Sequence, residues 1–174
     1  MIQNWTKLKE KTTKVGFRTI ITKTFKLPDG KIDAYDIVQI GKTAAVLALT
    51  AENKVILARQ FRPGPEKILS ELPGGFLDSD EDPEEAIKRE LLEETGYEGK
   101  TEFVGDCYND AYSDRVKLAF VATECHKVQQ PRLEGDEFIE IVEMTLDEFK
   151  KHLRSGQLTD PDIAYRCLDH LKLV

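Results

Sequence analysis

The sequence predicts an α+β sandwich, built as a single domain of 174 residues with an N-terminal β arm. Three observations predict it. Apolar runs bounded by turn residues recur before position 73 and again between positions 101 and 144, as strands do. Helix-start signals stand at Asp82-Pro83, at Thr145 with Glu148, and at Asp160-Pro161. Strands flanked by a few helices close one core in layers.

Taken in order, Phe17 to Leu27 reads as a strand, Pro28-Asp29-Gly30 as a turn and Lys31 to Ile40 as the returning strand. Residues 1–40 thus form an antiparallel arm ahead of a core at 41–174. Thr43 to Thr50 is a small apolar run suited to a buried strand. Ala51-Glu52-Asn53 turns the chain into Lys54 to Phe61. Ile68 to Leu72 is a short strand leading into Pro73-Gly74-Gly75. The next helix has Asp82 as N-cap and Pro83 where its missing N–H costs nothing. Glu85 completes the spacing of a capping box. Ala86, Ile87 and Leu91 give the helix an apolar face, and Gly96 stops it in the left-handed conformation. Strands follow near Thr101 to Tyr108 and Val116 to Thr123, then a polar stretch from Glu124 to Asp136, then a strand from Phe138 to Met144. Leu146 to Arg154 is a helix. The last helix opens at Asp160-Pro161 and carries Ile163, Ala164, Cys167, Leu168 and Leu171.

Composition narrows the function. The net charge of -7 opposes non-specific nucleic-acid binding, which needs a basic surface. No apolar run approaches the length that spans a membrane. Cys107, Cys125 and Cys167 are widely spaced and odd in number, which predicts reduced thiols and a cytoplasmic protein. His126, His152 and His170 show no metal-ligand spacing.

The chemistry concentrates in one helix. Residues three and four apart share a helix face, so Glu90, Glu93 and Glu94 crowd together. Such carboxylates repel unless a cation faces them, and hard oxygen ligands suit a divalent metal. An ordinary solvated acidic face accounts for Glu84 and Glu85. It does not account for the joint spacing of Gly75, Glu81, Arg89, Glu90, Leu91, Glu93, Glu94 and Gly96.

That spacing resembles the Nudix hydrolase box; Tyr97 departs from it, where an aliphatic residue is usual. The resemblance implies the Nudix fold, a mixed sheet between helices, and hydrolysis of a phosphoanhydride with Mg²⁺ (Mn²⁺ as the alternative). It implies metal ligation by Glu90 and Glu94, a ligand or water-assisting role for Glu93, and help from the Gly74 carbonyl. Gly75, Glu81, Arg89 and Gly96 are then structural, with Arg89 and Glu81 bracing the loop.

Arg59-Gln60-Phe61-Arg62-Pro63 and Glu71-Leu72-Pro73-Gly74-Gly75 resemble the ADP-ribose pyrophosphatase branch, as does Gly156-Gln157-Leu158-Thr159-Asp160. That likeness implies ADP-ribose as substrate, split into AMP and ribose 5-phosphate, with Arg59, Arg62 and Glu71 at the substrate. Arginine suits phosphate because its fork pairs bidentately. In the loop Pro131 to Glu137, it implies Glu137 as an extra metal ligand and Glu134 as general base. It also implies a homodimer, with the arm from Phe17 to Ile40 reaching the partner.

One departure alters the substrate ranking. The branch carries a proline about fifteen residues past the box, where this chain has Asn109-Asp110-Ala111-Tyr112-Ser113. A tyrosine such as Tyr112 is more typical of dinucleoside polyphosphate hydrolases, and it enters as a further substrate-binding candidate. Nucleotide-sugar hydrolysis and a non-catalytic nucleotide sensor are the alternatives. Sensors tend to lose box carboxylates, and here all are kept.

Overall fold

The computed structural model describes residues 2–78, 80–133 and 138–174, which fall into two compact units. The first comprises residues 1–41 and 108–116, the second residues 42–107 and 117–174.

In the first unit, β1 (Thr6–Val15), β2 (Arg18–Lys26) and β3 (Ile32–Gln39) form an antiparallel three-stranded sheet in that order. The Pro28-Asp29-Gly30 turn works through Gly30, whose φ of 87° suits glycine. β1 is exposed along its whole length. Its lysines at positions 7, 9 and 11 alternate with Leu8 and Glu10, and no continuous apolar face results, which is why the arm read as two strands has three. Residues 108–116 join this unit through hydrogen bonds from Val38 N–H to the Tyr112 carbonyl (2.9 Å) and from Ile40 N–H to the Asp114 carboxylate (2.6 Å).

The second unit is a seven-stranded sheet with three helices. Its strands are β4 (Lys42–Thr50), β5 (Lys54–Arg62), β6 (Lys67–Glu71), β7 (Gly74–Phe76), β8 (Tyr97–Tyr108), β9 (Val116–Lys127) and β10 (Glu140–Thr145). The path runs β10-β5-β4-β9-β8, with β6 on β5 and β7 on β4. Its helices are α1 (Pro83–Thr95), α2 (Leu146–Arg154) and α3 (Pro161–His170). β8 starts four residues before the predicted strand, and β9 takes in the polar stretch as far as Lys127.

Alternation along β4 and β5 sorts the core into two faces. Ala45, Leu47, Leu49, Val55 and Leu57 pack with Phe149 and Leu153 of α2 and with Ile163, Ala164 and Leu168 of α3. The intervening Val46, Ala48 and Ile56 are equally buried. Their face takes α1, which buries Ala86, Ile87 and Leu91 and packs on β4, β5 and β7. A strand covered on both sides reads as a continuous apolar run, as Thr43 to Thr50 does.

β4 divides its edge between two partners. Its first half places Ala44 opposite Gly75 and Ala45 opposite Gly74, while its second half places Ala48 opposite Ile56 of β5. The outer half of β5 turns to β6 instead, with Ala58 opposite Glu71. This fork inserts the glycine turn beside α1.

Candidate active site

The turn and the helix meet at two glycines. Gly74 has a φ of 154°, and a Cβ there would lie 2.1 Å from the Ala44 carbonyl oxygen. Only glycine lets the chain pass so close to β4. Its N–H donates to Glu94 Oε2 at 3.0 Å. A Cβ on Gly75 would lie 2.9 Å from the Glu90 carboxylate. The turn thus meets two carboxylates one turn apart on α1: Gly75 leaves room for Glu90, and the Gly74 N–H holds Glu94.

α1 holds them through its ends. The Asp82 carboxylate accepts from the Glu84 and Glu85 N–H groups (3.0 and 3.1 Å), and Gly96 ends the helix at φ 77°. Half of the expected capping box is realised here, since Glu85 pairs with Lys88 at 2.9 Å. A Cβ on Gly96 would lie 2.1 Å from the Gln129 carbonyl oxygen. The chain after β9 crosses this point: Val128 donates to the Gly96 carbonyl (2.9 Å) and Arg132 to the Glu93 carbonyl (2.7 Å).

Arg89 braces more than the predicted loop. Its guanidinium reaches Glu81 (3.2 Å), Glu90 (3.0 Å) and Glu93 (2.9 Å). The Glu81 hydrogen bonds above all, with Glu93 and Glu90 behind them, hold its proton even more firmly than usual. Arg89 supplies the positive charge that the crowded carboxylates need. No three acidic, histidine or cysteine side chains converge as a ready-made metal cluster among the described residues. The donor set still suits a hard divalent ion: Glu90 and Glu94 carboxylates beside a glycine backbone too close for any side chain.

Arg62 and Arg59 part company. Arg62 makes two charged hydrogen bonds to Glu71, which is buried at 6 % exposure and also accepts from Gln60 (3.5 Å). The Glu71 hydrogen bonds hold the guanidinium charged, helped by the nearby Glu94 and Asp160. Arg62 is 44 % exposed, so part of its fork faces outward. Arg59 is three residues back along β5, an odd step that turns it to the other face. There it pairs with Glu140 (3.5 Å) and its charge is felt by His152 of α2. The structure does not bring Arg59 to the box.

Tyr97 also has a physical reason. It is buried, and its hydroxyl donates to Glu143 Oε1 at 2.5 Å, while Lys54 reaches the other oxygen at 3.1 Å. Burial, then the Glu143 carboxylate, pushes the phenol up to about 12. Tyr112 lies in the first unit, exposed and stacked on Tyr35 with ring centroids 6.5 Å apart. Trp5 and Phe25 continue that aromatic ladder. Glu134 and Glu137 lie outside the described residues.

Sequence reasoning passed over Lys117 and read Asp160 only as a helix start and as part of the segment Gly156 to Asp160. Lys117 is buried on β9 and its ammonium donates to Asp160 and Asp162, each at 3.0 Å. The available signal was one lysine in the apolar run Val116 to Ala122. The cysteines are free thiols, with Cys125 and Cys167 buried; burial pushes them up to about 11 and about 12. Protonated thiols of this kind make poor nucleophiles.

A solved structure described as an ADP compounds hydrolase superposes with a TM-score of 0.83, covering 100% of this chain and 99% of that one, at 18% identity. That likeness establishes the class of fold, an α+β Nudix fold. The NUDIX domain family matches residues 40–163, and the chain belongs to that family. An ADP-ribose pyrophosphatase of Bacillus subtilis is 36% identical over 85% of this chain and 81% of its own length. A GDP-mannose pyrophosphatase of Salmonella typhimurium is 29% identical over 92% of this chain and 91% of its own. A methanol dehydrogenase activator of Bacillus methanolicus is 33% identical over 78% of this chain and 75% of its own. Among the described residues, no helix is long and apolar enough to cross a membrane.

Proposed function

We propose that this protein hydrolyses the pyrophosphate bond of ADP-ribose, giving AMP and ribose 5-phosphate, with Mg²⁺ held by Glu90, Glu94 and the Gly74 carbonyl. That it is a hydrolase of nucleoside diphosphate sugars rests on the family and on pyrophosphatase relatives that cover most of its length. The observation that carries the site is the meeting of Glu90 and Glu94 with the Gly74-Gly75 turn.

A divalent ion there supplies Lewis-acid neutralisation of the diphosphate. The chain's own groups do the rest. Arg62, aimed by the buried Glu71, offers its outward N–H groups to a phosphate oxygen. Glu71 thus serves the substrate through Arg62. Arg89 keeps Glu90 and Glu93 together before substrate arrives. Glu93 orders the water or joins the ligands. Glu134 is assigned the general base and Glu137 an added ligand, both on the strength of the family resemblance. Tyr112 is kept as a substrate-side candidate on the strength of the resemblance alone. Arg59 has no part in this scheme.

GDP-mannose hydrolysis is the second reading, favoured by a relative that matches over 92% of the chain. A homodimer through the first unit is supported by its exposed apolar side chains Val15, Phe17 and Ile32. A cytoplasmic location is supported by the free thiols. The test is a panel of ADP-ribose, GDP-mannose and a dinucleoside polyphosphate with Mg²⁺, products identified by chromatography, with light scattering on the same sample. ADP-ribose should give the highest kcat/KM and the mass should be twice that of the 19.8 kDa chain. Preference for the dinucleoside polyphosphate would overturn the substrate, and a monomer would overturn the assembly.

A further inference from the structure

Only two charged residues are buried among those described, Glu71 and Lys117. Glu71 lies under Arg62 and belongs to the site already described. Lys117 has no part in the chemistry proposed above, yet a buried ammonium is retained only where its partners are fixed. Its partners are Asp160 and Asp162, both at 3.0 Å from Nζ. Burial works against the ammonium, but Asp160 first and Asp162 next more than offset it.

Asp160 departs from its local role to make this pair. It is the N-cap of α3, yet its side chain makes no capping hydrogen bond. One carboxylate oxygen goes to Lys117 and the other accepts from the Thr159 hydroxyl at 3.1 Å. Just before it, Leu158 forms a parallel bridge with Ser70, and both are buried. That single bridge ties the strap at residues 156–160 to the end of β6, one residue before Glu71, the partner of Arg62. Asp160, held by Lys117, ends that strap, and its carboxylate helps keep the Arg62 guanidinium charged.

We infer that Lys117 is a positioning residue: it fixes Asp160 and the strap at residues 156–160 beside β6, and so sets the place of Arg62 for the substrate's phosphate. Without the ammonium, Asp160 and Asp162 face each other as like charges and the strap loses its anchor. This inference rests on the proposed role of Arg62 as a phosphate ligand.

The test compares wild type, Lys117→Met, Lys117→Arg and Asp160→Asn. It uses steady-state ADP-ribose hydrolysis with Mg²⁺, equilibrium ADP-ribose binding in EDTA, and thermal melting as a check of folding. Lys117→Met and Asp160→Asn should each raise KM about tenfold, with kcat within about threefold of wild type. The binding constant should weaken by the same factor. Lys117→Arg keeps a cation and should return KM to within about threefold. Unchanged KM and affinity in folded Lys117→Met would overturn the inference, as would a loss of kcat alone. If Lys117→Met does not fold, Asp160→Asn carries the same expectation and the same contradiction. Wild type that binds but does not turn over would sink the hydrolase reading and leave this one to be judged by affinity. Wild type that neither binds nor turns over ADP-ribose would sink both.

Discussion

At position 97 a tyrosine stands where the family box usually has an aliphatic residue, and the difference is paid for by a hydrogen bond. Its ring fills the apolar site, and its hydroxyl ties the end of the box to Glu143 on β10, which Lys54 on β5 also holds. Tyr97→Phe keeps the ring and removes that bond, so it should cost about 1 kcal/mol at neutral pH. The pH dependence follows in sign. A phenol raised from 10.0 to about 12 on folding contributes stability that is complete below pH 10.0 and is lost as pH rises toward about 12. The gap between wild type and variant, read by urea unfolding, should therefore hold up to pH 10.0 and narrow above it. Glu143 acts at the other end of the scale: the Tyr97 hydrogen bond, then Lys54, holds it below its usual 4.5. Its contribution is present above pH 4.5 and lost as pH falls through its lowered value. A variant as stable as wild type at neutral pH would contradict the role given to the hydroxyl. At this scale the sequence was legible in the box and obscure around it. Spacing placed Gly75, Glu90, Arg89 and Glu94 together. It did not choose between Arg59 and Arg62: their odd spacing puts them on opposite faces of the strand, but which face meets Glu71 depends on the register of β5 against β6.

The element that carries the site is α1, and its ends were readable because capping is local chemistry. Asp82, Pro83 and Gly96 stand where the sequence puts them. Asp82→Ala removes the acceptor for two N–H groups and should destabilise the protein by about 1 kcal/mol, measured by urea unfolding. An unchanged midpoint would mean that packing on β4 and β7 alone defines the helix start. The α2 bounds were equally legible, since Thr145 and Glu148 form a complete capping box. β1 and β7 were not. β1 lacks an apolar period because it is exposed throughout, and β7 is Gly-Gly-Phe, extended only because β4 offers it an edge. Their structure comes from partners distant in sequence, which local propensity does not record.

At the scale of the molecule, the forked edge of β4 explains why one short motif can host the chemistry. It brings a glycine turn under an acidic helix, and it places β6 so that Glu71 aims Arg62 toward the same end of the sheet. The fold class was legible because helices and strands announce themselves in series. The pairs Arg62–Glu71 and Lys117–Asp160 were not, because the first depends on the register of β5 against β6 and the second joins β9 to the start of α3. The measurement that tests the account most directly is ADP-ribose turnover by wild type and Glu94→Gln, with and without divalent ion, beside equilibrium nucleotide binding. Wild type should yield AMP and ribose 5-phosphate only when Mg²⁺ or Mn²⁺ is supplied. Glu94→Gln should stay folded and still bind nucleotide, while kcat falls about a hundredfold or more. Turnover indifferent to EDTA, or undiminished in Glu94→Gln, would contradict the account.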